Sequence, residues 1–305
     1  MKKYIKQFSI LITLGLSIFL VKQFCREVTG GFRITKICSN LPYSSAWETS
    51  PLSKEEAKEV DHILDQEFTY LGKGAQCYAF VSRDNKFVLK FFKIPYVPPS
   101  FVKEISLPSF LHTWLDEKTW KKQRVLEQEF TSYKIAYEKL REETGLVYIH
   151  LNKTNIFHKK ITIVDRINIK HSLDLDNMEF LIQKKGKLAY PHLDELLKED
   201  KVEEAKECLR NLFKLIKARA EKGILDTDPN LSKNFAFIGN TPIQIDNGRF
   251  FLVSHEDMAK IPEQERARYL NRMASIFRKW LKDDHGQLVE VFDEELQKLI
   301  QSGLF

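Results

Sequence analysis

The sequence predicts an α+β fold in which a lobe built on an antiparallel β-sheet is followed by a mainly helical lobe. Residues 68–92 alternate apolar and polar positions on either side of turn residues, which is typical of short antiparallel strands. From Tyr190 onward, apolar residues recur at the three- and four-residue spacing of amphipathic helices. An uncharged apolar run over residues 8–21 predicts one further helix ahead of both lobes.

The composition is that of a folded chain with a sizeable core. Of its 305 residues 43% are hydrophobic, and 22 Phe, 10 Tyr and 4 Trp supply ample core material. The net charge of +6 favours anionic partners such as nucleotides or acidic lipids, but the lysines are scattered along the chain. We therefore expect no nucleic-acid partner. The four cysteines lack CxxC spacing and the histidines lack an HExxH motif, so a structural zinc site is not expected.

The N-terminal apolar run is predicted to anchor the chain in a membrane. The run is shorter than the roughly twenty residues of a full span and suits the apolar region of a signal sequence. No small-residue cleavage site follows it, so residues 1–24 are predicted to be an uncleaved signal anchor that crosses the membrane once. Basic residues on both flanks leave open the side on which the folded part lies. Residues 25–52 are predicted to be a tether.

The N-terminal lobe is predicted to span residues 53–190. Ser53 and Glu56 match a capping box, which predicts that a helix begins there. Residues 94–122 form an insertion rich in proline and aromatic residues, whose aromatic side chains we expect to pack onto the small lobe. A strong helix follows, which Gly145 is expected to end. Further apolar, β-branched runs, predicted to complete a sheet of five or more strands, lie at residues 146–151, 160–165 and 178–183.

A glycine-containing hairpin and a lysine suggest a phosphate site in this lobe. Gly72 and Gly74 lie between the first two predicted strands, and Lys90 lies in the third. Glycines let backbone N–H groups approach phosphate oxygens, and a lysine can reach the same phosphates as a point charge. The segment is not a Walker A loop, because no GK[ST] ends it.

Oxygen-bearing side chains are concentrated in residues 224–250 of the helical lobe, which is predicted to span residues 191–305. Four of them lie at turns around two short apolar strands: Asp226, Asp228, Asn234 and Asp246. Side chains at turns can converge on a metal or a reacting group. The same residue types are also common in turns for structural reasons. The segment therefore indicates a functional site only if other parts of the chain supply groups that act on the same ligand.

Three motifs resemble the protein-kinase-like superfamily over roughly residues 66–250. LGKGAQCYAFV resembles its glycine-rich loop without the third glycine, FVLKFF resembles its third strand with the lysine at Lys90, and Asp246-Asn247-Gly248 resembles DFG with Asn for Phe. The resemblance implies a two-lobed kinase-like fold that uses ATP and Mg²⁺.

The resemblance also implies roles for residues around the lysine. Lys90 would pair with a glutamate on the following helix, and Glu129 lies nearer its apolar face than Glu127, which is kept as the alternative. The strand and hinge that contact adenine are matched by MEFLIQKKGKL, with backbone groups around Gln183 to Lys185 as the contacts.

In the acidic segment the resemblance assigns Asn234 and Asp246 to Mg²⁺, and Asp228 or Asp226 to the catalytic base. The chain departs from the family pattern at this point. No His-Arg pair precedes the aspartate, five residues instead of four separate Asp228 from Asn234, and no APE motif follows Gly248. These departures affect rate and substrate class more than fold.

Two functions follow from these residues. The first is a membrane-anchored phosphotransferase that moves the γ-phosphate of ATP to an alcohol group on a protein, sugar or lipid substrate. The alternative is a catalytically silent pseudokinase scaffold that binds a protein partner. A hydrolase using the aspartates as an acid–base set ranks last, because it leaves Lys90 and the glycine hairpin unexplained.

Overall fold

The computed structural model describes residues 2–39, 41–94 and 109–304. It has a mixed α/β architecture, with a β-sheet followed along the chain by a mainly helical part, as the sequence predicts. The helices are α1 (Lys2–Val28), α2 (Lys54–Leu64), α3 (Ser109–Lys139), α4 (Arg141–Thr144), α5 (Ala189–Lys198), α6 (Val202–Glu221), α7 (Leu231–Asn234), α8 (His255–Lys260), α9 (Glu263–Asp284) and α10 (Val289–Gln301). The strands are β1 (Phe68–Lys73), β2 (Cys77–Ser82), β3 (Phe87–Phe92), β4 (Leu146–His150), β5 (Lys160–Val164), β6 (Lys170–Asp174), β7 (Phe180–Lys184), β8 (Lys187–Leu188), β9 (Ile224–Asp226), β10 (Phe235–Ile238), β11 (Thr241–Gln244) and β12 (Phe250–Leu252).

The main sheet has seven strands in the order β4-β7-β3-β2-β1-β5-β6. All neighbours are antiparallel except β1 and β5, which pair in parallel through Phe68 with Ile163 and Thr69 with Val164. The predicted strands are present, and β6 is an additional one. Its sequence, KHSLD, is mostly polar because it is an edge strand with little buried surface, so it lacks the apolar run that marks its neighbours.

Each face of the sheet packs against a different partner. One face buries a row of phenylalanines and contacts α2, whose predicted capping box is present: Ser53 Oγ accepts the Glu56 N–H at 3.2 Å, and Glu56 accepts the Ser53 N–H at 2.8 Å. The other face packs on α3, mainly through Phe92 and Phe130. Fixed on both faces, the sheet is a rigid support for the β1–β2 hairpin, which lies inside the strand order.

Part of the predicted tether is packed into this lobe, which corrects the prediction for residues 25–52. Phe32 is 4% exposed and its ring lies edge-on to Phe80, while Ile37 is fully buried. Gly30 has φ +63°, and a Cβ there would lie 2.6 Å from the Tyr70 hydroxyl oxygen. The glycine turn lets the chain approach the sheet closely, so the aromatic residue that follows becomes core. The other domain boundaries stay predictions.

Helix α3 begins at Ser109, earlier than predicted, so the second half of the insertion 94–122 is helical. Residues 95–108, with the prolines and Phe101, lie outside the described residues. Trp120 does not pack onto the small lobe as expected: it is 56% exposed and lies 5.3 Å from the Arg124 guanidinium. The predicted stop at Gly145 is present, since this glycine follows α4 with φ +62°.

The helical part is built on α5, α6, α9 and α10 around one apolar cluster. Two small sheets, one of three strands and one of two, lie at its boundary with the main sheet. The predicted hairpin is present as β10–β11, with β8 pairing alongside β10, and β9 pairs with β12. These two small sheets position the turns that carry the acidic segment.

Helix α1 projects from the sheet lobe. Its stretch Lys6–Val28 is long and apolar enough to cross a membrane, and its apolar window is fully exposed. A signal sequence has the same length and composition, so membrane anchoring itself stays a proposal.

Candidate functional site

A cavity of about 480 Å³ lies where the sheet meets the helical part. Gly72 and Gly74 of the β1–β2 hairpin line one side, and Lys90 of β3 lies at its back. Gln183 of β7 and Asp246, which follows β11, line it from the other chain segments. The structure therefore brings five of the predicted site residues to one cavity, although they are far apart in sequence.

The glycines of the hairpin are not required by the packing of the chain itself. A Cβ at Gly72 or Gly74 would meet nothing within 4 Å, and neither glycine has a positive φ. The hairpin is closed by the Gly74 N–H, which donates to the Cys77 carbonyl at 3.0 Å, and its register shifts between Tyr70 and Gly72. The open space above both glycines suits a ligand that approaches the backbone closely.

Lys90 has a different partner from the one that the sequence predicts. Its Nζ donates to the carbonyl oxygen of Ile245 at 2.6 Å. Lys90 and Glu129, which are both described, do not form an ion pair with each other. Burial lowers the pKa of Lys90, and the nearby Asp246 carboxylate opposes that shift. The ammonium is therefore tied to the strand end that carries Asp246, so the predicted Lys90–Glu129 pair is corrected.

Glu129 is nevertheless the buried one of the two candidate glutamates. It is 7% exposed, whereas Glu127 is exposed on the other flank of α3. Burial raises the pKa of Glu129 to about 7, with Arg249 lowering it and Asp246 raising it further. It faces the cavity that adjoins the tip of the hairpin instead of lining the one that holds Lys90.

Replacing Glu129 should change how stability depends on pH. A carboxyl whose pKa is raised on folding, here from 4.5 to about 7, stabilises the fold below the unfolded pKa and loses that contribution as pH rises through the folded pKa. We expect the unfolding free energy of the unmodified chain to fall by about 1–2 kcal/mol relative to Glu129→Gln between about pH 5 and 8, after allowing for solvent screening. Urea denaturation at several pH values measures this difference. Glu127→Gln is the matched control, and an equal pH effect in it would contradict the assignment.

Asp226 lies in a buried network. Its Oδ2 lies 3.6 Å from Arg219 Nη1, with both side chains 1% exposed, and it accepts a hydrogen bond from Gln244 Nε2 at 2.7 Å. Its Oδ1 accepts the backbone N–H of Asp228 at 2.8 Å. Burial raises the pKa of Asp226, and the Arg219 guanidinium opposes that shift. With both oxygens engaged, Asp226 holds the loop together and is poorly placed to take a proton from a substrate.

Asp228 and Asn234 lie on the same loop in different environments. Asp228 is exposed, and its carbonyl accepts a hydrogen bond from Asn234 Nδ2 at 2.7 Å. Asn234 is 5% exposed, and its own carbonyl accepts the Ile245 N–H at 2.7 Å. This last bond places Asn234 beside the strand end that leads into Asp246.

Asn234 and Asp246 fit the predicted Mg²⁺ pair in donor chemistry. The amide nitrogen of Asn234 is engaged, which leaves its oxygen as the ligand atom. Among the described residues the Asp246 carboxylate accepts one hydrogen bond, at Oδ1 from the Gly248 N–H at 3.4 Å. Both are the hard oxygen ligands that Mg²⁺ prefers, and phosphates usually complete such a site. The described residues contain no group of three His, Cys, Asp or Glu side chains that could hold a metal by themselves.

The hinge prediction is met only in part. Gln183 lines the cavity, but its buried side chain donates to the carbonyl of Thr144 at 2.6 Å. The backbone N–H groups of Lys184 and Lys185 donate to the carbonyls of Gly145 and Lys86, both at 2.8 Å. These two donors are engaged within the lobe, so they are not free for adenine as the resemblance implied.

Sequence reasoning missed several residues that contact Asp246-Asn247-Gly248. Ser132 Oγ donates to the Asn247 carbonyl and accepts the Phe250 N–H at 2.5 Å. Tyr133 lines the cavity and is fully buried beside the same segment. Ser132 follows Glu129 on α3 by three residues and Tyr133 follows it by four, so the spacing of one helix face predicts that they lie near Glu129. No sequence pattern points to Gln76. Its Nε2 donates to the Gly248 carbonyl at 3.3 Å, and the two residues are 172 positions apart in the chain.

No family model and no curated protein matches the sequence. Three solved structures similar to the chain are of WbdD, described as a bifunctional kinase-methyltransferase. The complex with a kinase inhibitor has 12% identity and a TM-score of 0.37 over 75% of this chain and 45% of that one. The second structure has 14% identity and a TM-score of 0.36 over 75% of this chain and 48% of that one. The third has 13% identity and a TM-score of 0.35 over 76% of this chain and 49% of that one. The chain thus spans less than half the length of these structures.

Proposed function

We propose that the chain is a membrane-anchored, ATP-dependent phosphotransferase of kinase-like fold. It would transfer the γ-phosphate to an acceptor hydroxyl with the help of Mg²⁺. The observation that carries the proposal is the single cavity lined by the glycine hairpin, Lys90 and Asp246. These are the groups that hold phosphates and a metal, and they come from three separate segments of the chain.

The proposed mechanism is mostly positioning. The hairpin backbone at Gly72 and Gly74 would lie along the phosphates, and Lys90 would exchange the Ile245 carbonyl for phosphate oxygens. Asn234 and Asp246 would hold Mg²⁺, which when bound neutralises charge on the phosphates. Placing reactants and fixed charges in this way accounts for most of the rate enhancement in phosphoryl transfer.

For the base, Asp228 is favoured over Asp226. The side chain of Asp228 is exposed on the loop, whereas both oxygens of Asp226 are engaged in the buried network. Asp228 would orient the acceptor hydroxyl and accept its proton. A protein, sugar or lipid acceptor suits a carboxylate in this position, and α1 would hold the enzyme at a membrane.

A silent scaffold is the second candidate, and one contact favours it. The Gln76 side chain at the tip of the hairpin fills the space in front of Gly248, where an added Cβ would overlap it, and its amide donates to the Gly248 carbonyl. This contact closes the hairpin onto the acidic segment. If it persists in the presence of nucleotide, the tip of the hairpin stays on Gly248 instead of moving onto the phosphates, and the chain acts by binding a partner.

Thermal unfolding of the full chain in detergent tests the proposal. ATP with Mg²⁺ should raise the melting temperature, and loss of γ-phosphate to an acceptor mixture should follow. Gly74→Ala should keep the melting temperature of the free chain, because its Cβ meets nothing, yet reduce the shift that ATP causes. Gly186→Ala is the contrasting variant, since its Cβ would lie 2.8 Å from the Ala236 Cβ and destabilise the free chain. No shift with ATP and Mg²⁺ would refute the proposal, and binding without transfer would favour the scaffold.

A further inference from the structure

A second cavity, of about 840 Å³, lies outside the tip of the glycine hairpin. It is bounded by the segment after α1, by the end of β3 and by the middle of α3. Glu129 is the one acidic side chain among the described residues that line it. The cationic residues that line it are Arg33, Lys36, Lys93, Lys121 and Lys122. The cavity therefore carries a large excess of positive charge.

Two of these lysines are held close to other cations. Burial lowers the pKa of Lys36, and Arg33, Arg26 and Lys73 lower it further. Burial also lowers the pKa of Lys93. Lys36 and Lys73 lower it further, while Cys77 and the Glu129 carboxylate oppose the shift. Repulsion of this kind costs stability, and it is relieved when an anion binds.

Neutral groups of the chain are the hydrogen-bond partners of these ammonium groups. Lys36 Nζ donates to the Gly31 carbonyl at 3.0 Å and to the Tyr78 hydroxyl at 3.2 Å. Lys93 Nζ donates to the carbonyls of Gly74 and Ala75, the latter at 3.2 Å. Carbonyl and hydroxyl oxygens orient the lysines without neutralising them, so their charge remains available to an anion in the cavity.

The cavity also lies at the end of the exposed apolar helix. Arg26, one of the cations beside Lys36, is in the last turn of α1. That end is fixed to the sheet lobe: Arg166 Nη1 donates to the Glu27 carbonyl at 3.0 Å, and the Tyr78 hydroxyl donates to the Gly31 carbonyl at 2.6 Å. Phe24, two residues before Arg26, is 66% exposed. Cations placed just beyond an apolar helix are at the level of lipid headgroups when such a helix enters a bilayer.

We infer that this basic cavity binds the phosphate group of an anionic lipid headgroup, with Lys36 and Lys93 as the central ligands. Because Lys93 also holds the Gly74 and Ala75 carbonyls, the bound headgroup lies next to the glycine hairpin and fixes the orientation of the sheet lobe at the membrane. The inference rests on the membrane anchoring in the proposed function, but it requires neither ATP nor phosphate transfer.

Lysine acetylation of the full chain in lipid nanodiscs, which expose both membrane faces to the reagent, tests the inference. Nanodiscs of phosphatidylcholine are compared with nanodiscs that also contain phosphatidylglycerol, and modified lysines are quantified by mass spectrometry. We expect the anionic lipid to slow acetylation of Lys36 and Lys93 roughly fivefold. Lys217, whose side chain is 53% exposed on α6, should react equally in both. Equal reactivity of Lys36 in the two nanodiscs would overturn the inference.

Two further arms identify the source of the phosphate and the role of charge. Inorganic phosphate added to phosphatidylcholine nanodiscs should protect much less than the anionic lipid, and protection by phosphate alone would overturn the lipid assignment. Lys121→Gln combined with Lys122→Gln removes exposed charge from the cavity wall and should reduce protection of Lys36. Lys214→Gln combined with Lys217→Gln, an exposed pair on α6, should leave it unchanged, and an equal loss would show a nonspecific effect of net charge and overturn the inference.

Discussion

Asp246→Ala should abolish the Mg²⁺-dependent part of the stabilisation by ATP. Asp246 is the only carboxylate among the described residues that line the cavity with Lys90, and without it Asn234 would offer Mg²⁺ only a weak neutral ligand. At a nucleotide concentration about a hundredfold above Kd, the unmodified chain should gain about 2.7 kcal/mol, which corresponds to roughly 4 °C for a chain of this size. The variant should show only the metal-independent remainder. Differential scanning fluorimetry with ATP, with and without Mg²⁺, measures the difference.

The matched control is Asp283→Ala, which removes an exposed carboxylate from α9, far from Asp246 in the sequence. It should keep the full shift, because loss of one surface charge changes net charge equally without touching the cavity. A Mg²⁺-dependent shift that survives in Asp246→Ala would contradict the metal assignment. The glycine hairpin and Lys90 would then account for nucleotide binding by themselves.

The second large effect is expected at Asp226. Asp226→Ala leaves the Arg219 guanidinium buried without its carboxylate and removes the acceptor for Gln244 and for the Asp228 N–H. Removing one member of a buried ion pair typically costs about 3–5 kcal/mol, so the melting temperature should fall by roughly 5–8 °C. Chemical denaturation of the free chain measures this cost, and no nucleotide is needed.

Asp228→Ala gives the complementary result. Its side chain is exposed, so the unfolding free energy should change by no more than about 0.5 kcal/mol, while transfer of γ-phosphate should be lost with ATP binding retained. Together the two variants decide between the candidate bases. If Asp226→Ala folds normally and loses transfer while Asp228→Ala stays active, the roles are reversed.

Local sequence signals predicted the elements of this fold well. The Ser53–Glu56 capping box and the Gly145 stop both depend on hydrogen bonds between residues a few positions apart, so the sequence pattern contains them directly. The same holds for the β10–β11 hairpin, whose turn at Gly239 has φ +57°. Strand β6 was missed because an exposed edge strand has no apolar pattern to detect.

The sequence by itself determined the mixed α/β class, the glycine hairpin, the position of Lys90 on β3 and the placement of Asp246 after β11. Only the tertiary structure decided that Lys90 contacts Ile245 instead of Glu129, that Asp226 is buried with Arg219, and that Gln76 reaches Gly248. Periodicity and turn chemistry are properties of neighbouring residues. The distance between side chains on different elements depends on how those elements pack, and two similar aspartates two positions apart can therefore lie in opposite environments.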